Sequence, residues 1–358
     1  MKTIDWYIIR KFLGTFFFSI LLLSIIIIIF DISEKIDDFI EKDAPLNKII
    51  FSYYFSFLPF FINQFSALFT FISVVFFTSR MAANTEIIAI LSSGVSFWRL
   101  MRPYLISAVI LALLSFVLAS YVIPVTNRTM FDFEKIYIKN PRHSTVLNMH
   151  MQISPGVYVY IERYNNIQDI GYKFSMEKID STGLYYKLTA DAIKWDSVSA
   201  RWKIETYQIR EIDSLGERIY TGQTIDTTLN ITPSDFYFDI ELVKVYTLPQ
   251  INKKIAIEEL KGSGSVVEFR VEKYKRIAFP FANIILTLIG FSVSSRKLRG
   301  GTGLHLGIGL AITFSFVLFM QISIVFGTYG DLPPLLATWL PNIIFGALAF
   351  LIIKFAPK

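Results

Sequence analysis

Apolar residues in this chain are gathered into six long runs, three before residue 124 and three after residue 276. The runs cover about residues 12–30, 50–78, 103–123, 277–294, 304–326 and 335–353. Each is near the ~20 residues a helix needs to cross the hydrocarbon core of a bilayer. The pattern predicts six transmembrane helices. The second run is too long for one straight crossing and contains Pro59 and the polar pair Asn63-Gln64. A kink or an interfacial lead-in over 51–57 is expected there.

Between the third and fourth runs the period changes from helical to alternating. Residues 157–161, 186–190, 202–206 and 220–224 alternate side chains as strands do. Ser154-Pro155-Gly156, Ser181-Thr182-Gly183 and Ser214-Leu215-Gly216 supply turn signals between them, at intervals suited to a sandwich or jelly roll. A helical stretch over 248–260 leads to a Gly/Ser linker at 262–265, and a basic helix over 266–276 returns to the membrane. The expected fold class is an α-helical membrane protein of six transmembrane helices, with an all-β, jelly-roll-like domain inserted between helices three and four. Residues 1–124 hold helices one to three, 125–265 the β domain and linker, and 266–358 helices four to six.

Charge gives the orientation. Lys2, Arg10 and Lys11, then Arg80, Arg99 and Arg102, then Arg296, Lys297 and Arg299, and last Lys354 and Lys358 all fall on one side of a six-helix topology. The positive-inside rule makes that side cytoplasmic. The loop after helix one is mostly acidic (Asp31, Glu34, Asp37, Asp38, Glu41, Asp43) and falls on the other side. Both termini are therefore expected in the cytoplasm and the β domain on the outer face. The first run follows basic residues, as a signal peptide would, but it is longer than a typical h-region. It leads into Asp31-Ile32-Ser33-Glu34 and not into a small-residue cleavage site, so it reads as a retained helix.

Composition narrows the function classes. The chain has 358 residues, 53% of them hydrophobic, against about 45–50% for a soluble domain. With no cysteine, a disulfide framework and a thiolate metal site are excluded. The net charge of +6 comes without a long basic run, so nucleic acid is not an expected partner. No G-x-x-x-x-G-K-[ST], G-x-S-x-G or H-E-x-x-H occurs, and His143, His150 and His305 are not at metal-ligand spacing. His143 and His150 are expected on the surface of the β domain. No acid or base lies near the middle of a span, which argues against ion-coupled transport. The amides Asn63, Gln64, Asn283, Gln321 and Asn342 read as contacts between helices. The chain is not expected to be an enzyme or to bind a cofactor.

Two constellations remain. The loop over 80–102 contains Asn84-Thr85-Glu86-Ile87-Ile88-Ala89-Ile90-Leu91-Ser92-Ser93-Gly94, where Thr85 can cap a short helix and Gly94 can end it. Such a helix either lies on lipid headgroups or docks in a groove of a soluble partner. The second is a set of cations near the outer ends of the helices: Lys35, Lys42, Arg128, Lys273, Lys275 and Arg276. They either snorkel to ordinary headgroups or together ring a cavity mouth and hold an anionic lipid headgroup. The basic, glycine-rich stretch 294–303 reads as a short cytoplasmic turn.

Taken together, this arrangement resembles the LptF/LptG (YjgP/YjgQ) family of lipopolysaccharide-export permeases over essentially the whole chain. The resemblance rests on the 84–94 segment and on Tyr121-Val122-Ile123-Pro124-Val125-Thr126-Asn127-Arg128. It rests also on Tyr274-Lys275-Arg276-Ile277-Ala278-Phe279-Pro280 and on Leu332-Pro333-Pro334-Leu335-Leu336-Ala337-Thr338-Trp339-Leu340-Pro341-Asn342. It implies an ABC-transporter permease of the bacterial inner membrane that extracts lipopolysaccharide and passes it to a periplasmic bridge. The implied partners are a homodimeric cytoplasmic ATPase (LptB-like), which uses the ATP, a second paralogous permease, and periplasmic β proteins like LptC and LptA.

By that resemblance Glu86, Ile87, Ile90, Leu91 and Gly94 form the ATPase-coupling segment, with Glu86 pairing with a basic residue of the ATPase. Lys35, Lys42, Arg128, Lys275 and Arg276 are the lipid-headgroup candidates. The stretch 31–43 departs from the family pattern, having six acids and only two lysines. Headgroup contacts then fall to Arg128, to the partner subunit or to bridging divalent cations, and the choice between the two paralogues stays open. The competing reading is a membrane-anchored scaffold whose β domain binds a periplasmic partner without transport.

Overall fold

The computed structural model describes residues 3–138, 145–165, 168–213, 216–233, 243–262, 265–295 and 301–355, with the backbone alone for 145–147, 301–302 and 304–305. The chain divides into two compact units. The first comprises Met1–Ile138, Lys244–Leu248 and Arg270–Lys358; the second comprises Lys139–Val243 and Pro249–Phe269.

The described helices are, in chain order, α1 (Thr3–Glu41), α2 (Leu46–Ala83), α3 (Glu86–Ser92), α4 (Phe97–Tyr137), α5 (Leu248–Lys261), α6 (Val266–Ser294), α7 (Gly301–Tyr329) and α8 (Pro334–Lys354). All but α3 and α5 are long and apolar enough to cross a membrane, six among the described residues. The first three spans are longer than their apolar runs. At ~1.5 Å per residue the 39 residues of α1 extend about 58 Å, well past the hydrocarbon core. Helix α4 likewise continues to Tyr137, so the second unit begins at Lys139, later than the 125 expected from hydropathy.

The irregularity expected in α2 lies upstream of Pro59. Residues Ile49–Tyr54 are π-helical, with the Phe55 N–H reaching the Ile50 carbonyl, and the α-helix then runs through Pro59 to Ala83. Helix α4 has a second π-helical stretch, Leu118–Val122, just before Pro124. Proline removes an N–H that an α-helix would use, and wider turns nearby absorb the mismatch.

Three apolar clusters hold the helical unit. At the end nearest α3, Ile8, Phe12 and Phe16 of α1 pack with Val74, Met81, Ile87, Phe97, Tyr104 and Phe291. In the middle, Phe71 and Val75 of α2 meet Leu286, Ile289, Phe316 and Phe345. At the far end Phe39, Tyr53, Phe57 and Phe133 form an aromatic cluster. Amides join the helices between these layers: Asn63 accepts from Ser115 (2.6 Å), Asn283 accepts from Thr70 (2.9 Å), and Asn342 donates to the Ala278 carbonyl (2.7 Å). In a membrane such bonds replace the hydrophobic drive that lipid cannot provide.

The second unit contains six antiparallel strands, β1 (Thr145–Ser154), β2 (Val157–Asn165), β3 (Ile170–Asp180), β4 (Gly183–Asp196), β5 (Arg201–Asp213) and β6 (Gly216–Thr227). They form one sheet in chain order. The four strands expected from alternation lie within β2, β4, β5 and β6; β1 and β3 are additional. At the β1–β2 turn Gly156 has φ +75°, and a Cβ there would sit 2.5 Å from the Ile179 carbonyl oxygen. Only glycine fits. Ser214, Leu215, Ser263 and Gly264 of the expected turns and linker, and Arg296, Lys297, Arg299 and Lys358, lie outside the described residues, as do His143 and the side chain of His305.

One face of the sheet carries the core: Val159, Ile161, Phe174, Leu188, Ile193, Trp202 and Ile204 are buried, with Ile231 packed on them. The Trp202 indole N–H donates to the Ile231 carbonyl at 2.9 Å. Asn148, Lys173 and Thr206 have φ of +52°, +55° and +49° and drop out of the pairing register. Buried positions change parity across Lys173, from Gly171 to Phe174 and Met176, and across Thr206, from Trp202 and Ile204 to Tyr207 and Ile209, while the pairing register continues unshifted.

Candidate functional site

The functional side chains of the helical unit lie at its two ends. At one end, α3 is seated by Ile87, which is 1% exposed among Met81, Phe97 and Met101, with Ile90 and Leu91 packed beside it. Ile87 therefore anchors α3 to its own bundle. Ile88, half exposed, is the apolar side chain that α3 offers outward.

Thr85 stands at the N-cap position in the left-handed conformation, φ +63°. Its hydroxyl donates to the Asn84 carbonyl (2.6 Å) and makes none of the capping bonds expected of it. Gly94, φ +87°, ends the turn after α3, with its N–H on the Leu91 carbonyl (3.0 Å). A left-handed residue just past a helix is where glycine costs least. The Glu86 carboxylate is half-buried and accepts one long bond, 3.4 Å, from the Asn84 amide. It lines a cleft of about 290 Å3 with Lys11, Arg80, Tyr7 and Phe77, and has no salt bridge among the described residues.

Beside α3, the Arg99 guanidinium grips Asp5 with two parallel bonds, each 2.7 Å. Asp5 is 4% exposed. Ser96 caps α4 by accepting from the Arg99 N–H, 3.3 Å. The first turn of α1 is thereby fixed to the first turn of α4, immediately after the loop that carries α3.

At the far end the headgroup candidates divide. Lys35 is held inside the unit. Its ammonium is 2.7 Å from Asp31, donates to the Tyr53 hydroxyl and sits over the Tyr53 ring at 4.8 Å. Tyr54 donates to the other Asp31 oxygen at 3.1 Å. Arg276 is 3% exposed between Glu272 (2.8 Å) and the Tyr246 carbonyl (2.6 Å). Lys275 also reaches Glu272, at 3.3 Å, and Lys42 makes a long bond to the Ile138 carbonyl, 3.5 Å. Arg128 is exposed and has no partner among the described residues. Lys275 and Arg276 share a small cleft with Lys244, Glu272, Asn63 and Asn127, the last 1% exposed with an unpaired Oδ1.

Sequence reasoning missed the anions of these sites: Asp5, Asp31 and Glu272. Two were findable. Asp31 with Lys35 and Glu272 with Arg276 have the i,i+4 spacing that pairs side chains on a helix. Asp5 and Arg99 are 94 residues apart, and no local signal links them.

The model of the family described as "Lipopolysaccharide export system permease LptF/LptG" matches residues 6–354, nearly the whole chain. No curated protein matches it.

Proposed function

This chain belongs to the LptF/LptG family of lipopolysaccharide export permeases, and on that premise we propose that it is the permease subunit of an ABC transporter that lifts lipopolysaccharide out of the bacterial inner membrane. The observation that carries this reading is α3. It is a two-turn helix anchored to the bundle by Ile87, and it presents a carboxylate, Glu86, without a salt bridge among the described residues. A soluble ATPase with a basic residue in a groove would supply the missing charge.

On this reading the end that carries α3, with both termini, is cytoplasmic, and the β unit is periplasmic. ATP is spent in the partner, and movement enters through α3 and the adjoining Asp5–Arg99 clamp. Withdrawing a multi-acyl lipid uncovers many methylenes at ~0.8 kcal/mol each, so apolar surface must replace bilayer contacts as the lipid leaves. A second, paralogous permease completes the cavity, and periplasmic β proteins receive the lipid. Arg128 and the less tightly held Lys42 and Lys275 meet headgroup phosphates; Lys35 and Arg276 shape the site from within.

The test is purification of the tagged chain from detergent-solubilised native membranes. Co-purification of a soluble ABC ATPase and a second six-helix permease, with lipopolysaccharide held at the inner membrane after depletion, is the expected result. Loss of the chain without such accumulation would replace the export reading with the scaffold one.

A further inference from the structure

The sheet face turned away from the β-unit core is built as a trough. His150, Tyr160, Ser175, Thr189, Gln208 and Thr221 are direct cross-strand partners in sequence, one from each of the six strands. All six line a trough of about 1040 Å3. Lys173 and Thr206, both in the left-handed conformation, line it as well.

Its chemistry is specific in three respects. First, three of the six positions in the row are Ser or Thr, so short hydroxyl side chains hold the middle of the row where long charged ones would fill it. Second, its charges cancel: Lys187 meets Glu177 at 2.7 Å, and Lys173 lies 3.7 Å from Asp191. A phosphate or a polyacid finds no surplus cation there. Third, one end is aromatic. The His150 and Tyr160 rings lie 4.4 Å apart, and Tyr158, 44% exposed, adds a third ring.

Aromatic rings offer an apolar body beside polar tips. Hydroxyls and amides both donate and accept. A sugar ring needs this combination, having an apolar C–H face and a rim of hydroxyls that do both. An acyl chain would bury Ser175, Thr189 and Gln208 without partners, which is costly. A peptide strand would pair with a sheet edge, not with the side chains of its face. We propose that this trough binds an extended, uncharged saccharide. The assignment goes beyond the export reading and stands on the sheet alone.

The test uses the full-length protein in lipid nanodiscs, probed with an array of uncharged bacterial oligosaccharides and their acidic counterparts. The strongest hit is then titrated by saturation-transfer difference NMR. Saturable binding of an uncharged glycan is expected, weakened about tenfold or more by Tyr160→Ala and abolished by Thr189→Trp, which fills the trough. Gln208→Ala, on an exposed side chain, should weaken it severalfold with the thermal midpoint unchanged, so lost binding is not confused with misfolding. No saturable glycan, preference for the acidic series, or binding indifferent to all three substitutions would overturn the assignment. ATPase co-purification is a separate readout, so failure of the export reading and failure of this one are distinguishable.

Discussion

Arg99 holds Asp5 in a two-bond fork across 94 residues of sequence, and this joins the start of α1 to the start of α4. The carboxylate is buried, whereas the guanidinium keeps one edge in solvent. Arg99→Lys should not restore the joint, because an ammonium cannot make the parallel pair. Asp5→Asn and Arg99→Lys are each expected to lower the thermal midpoint in detergent. They should also reduce ATPase coupling severalfold in the reconstituted complex. Unchanged values for both would mean that the clamp is decorative.

Among the described residues Glu86 has no salt bridge. Glu86→Lys should abolish recovery of the ATPase in a pull-down, or cut lipopolysaccharide-stimulated ATP hydrolysis by about tenfold, at an unchanged midpoint. Ile87→Ala should instead loosen α3 itself, costing about 2–4 kcal/mol as a large-to-small core change.

The cations at the far end should separate by burial. Arg276→Ala removes the buried partner of Glu272 and of the Tyr246 carbonyl, leaving Glu272 only Lys275 at 3.3 Å, and the fold is expected to lose about 1–3 kcal/mol. Arg128→Ala should leave the midpoint in place and weaken lipopolysaccharide binding severalfold, read by crosslinking or by native mass spectrometry. The reverse ranking would place the headgroup at Arg276.

In the β unit, burial pushes the Tyr164 phenol above its ordinary value, aided by the neighbouring Asp169 carboxylate, to which it donates at 3.0 Å. Above the ordinary value of 10.0 the unfolded chain releases this proton while the folded one keeps it, so stability falls as pH rises through that range. Tyr164→Phe should flatten this part of the profile, measured as hydrogen-exchange protection of β2 and β3 at alkaline pH. An unaltered slope would show that other groups cause the loss.

Gly156→Val combines a strained φ with contact against the Ile179 carbonyl. It should cost at least about 1 kcal/mol and open the β1–β2 turn, seen as faster exchange at Val157 and Ile179 with the helices unaffected.

By itself the amino-acid sequence determined the six spans, the inserted β domain and the position of α3, because these follow from quantities that repeat locally. A bilayer imposes about 20 apolar residues per crossing, a strand alternates with period two, and glycine marks left-handed turns. Strand β3 escaped this reading because its buried positions change parity at Lys173, from Gly171 to Phe174 and Met176. The tertiary structure alone decided which charges are free. Lys35, Arg276 and Arg128 look alike along the chain, but the first two are neutralised by carboxylates on their own helices and further fixed by Tyr53 and the Tyr246 carbonyl, and only Arg128 stays open. The same holds for Ile87, buried against its own bundle, and for Asp5 with Arg99. Hydropathy reports how many apolar side chains a segment has, but not which way each one points. Direction is set by packing between segments distant in sequence, and the partners of a charge are set with it.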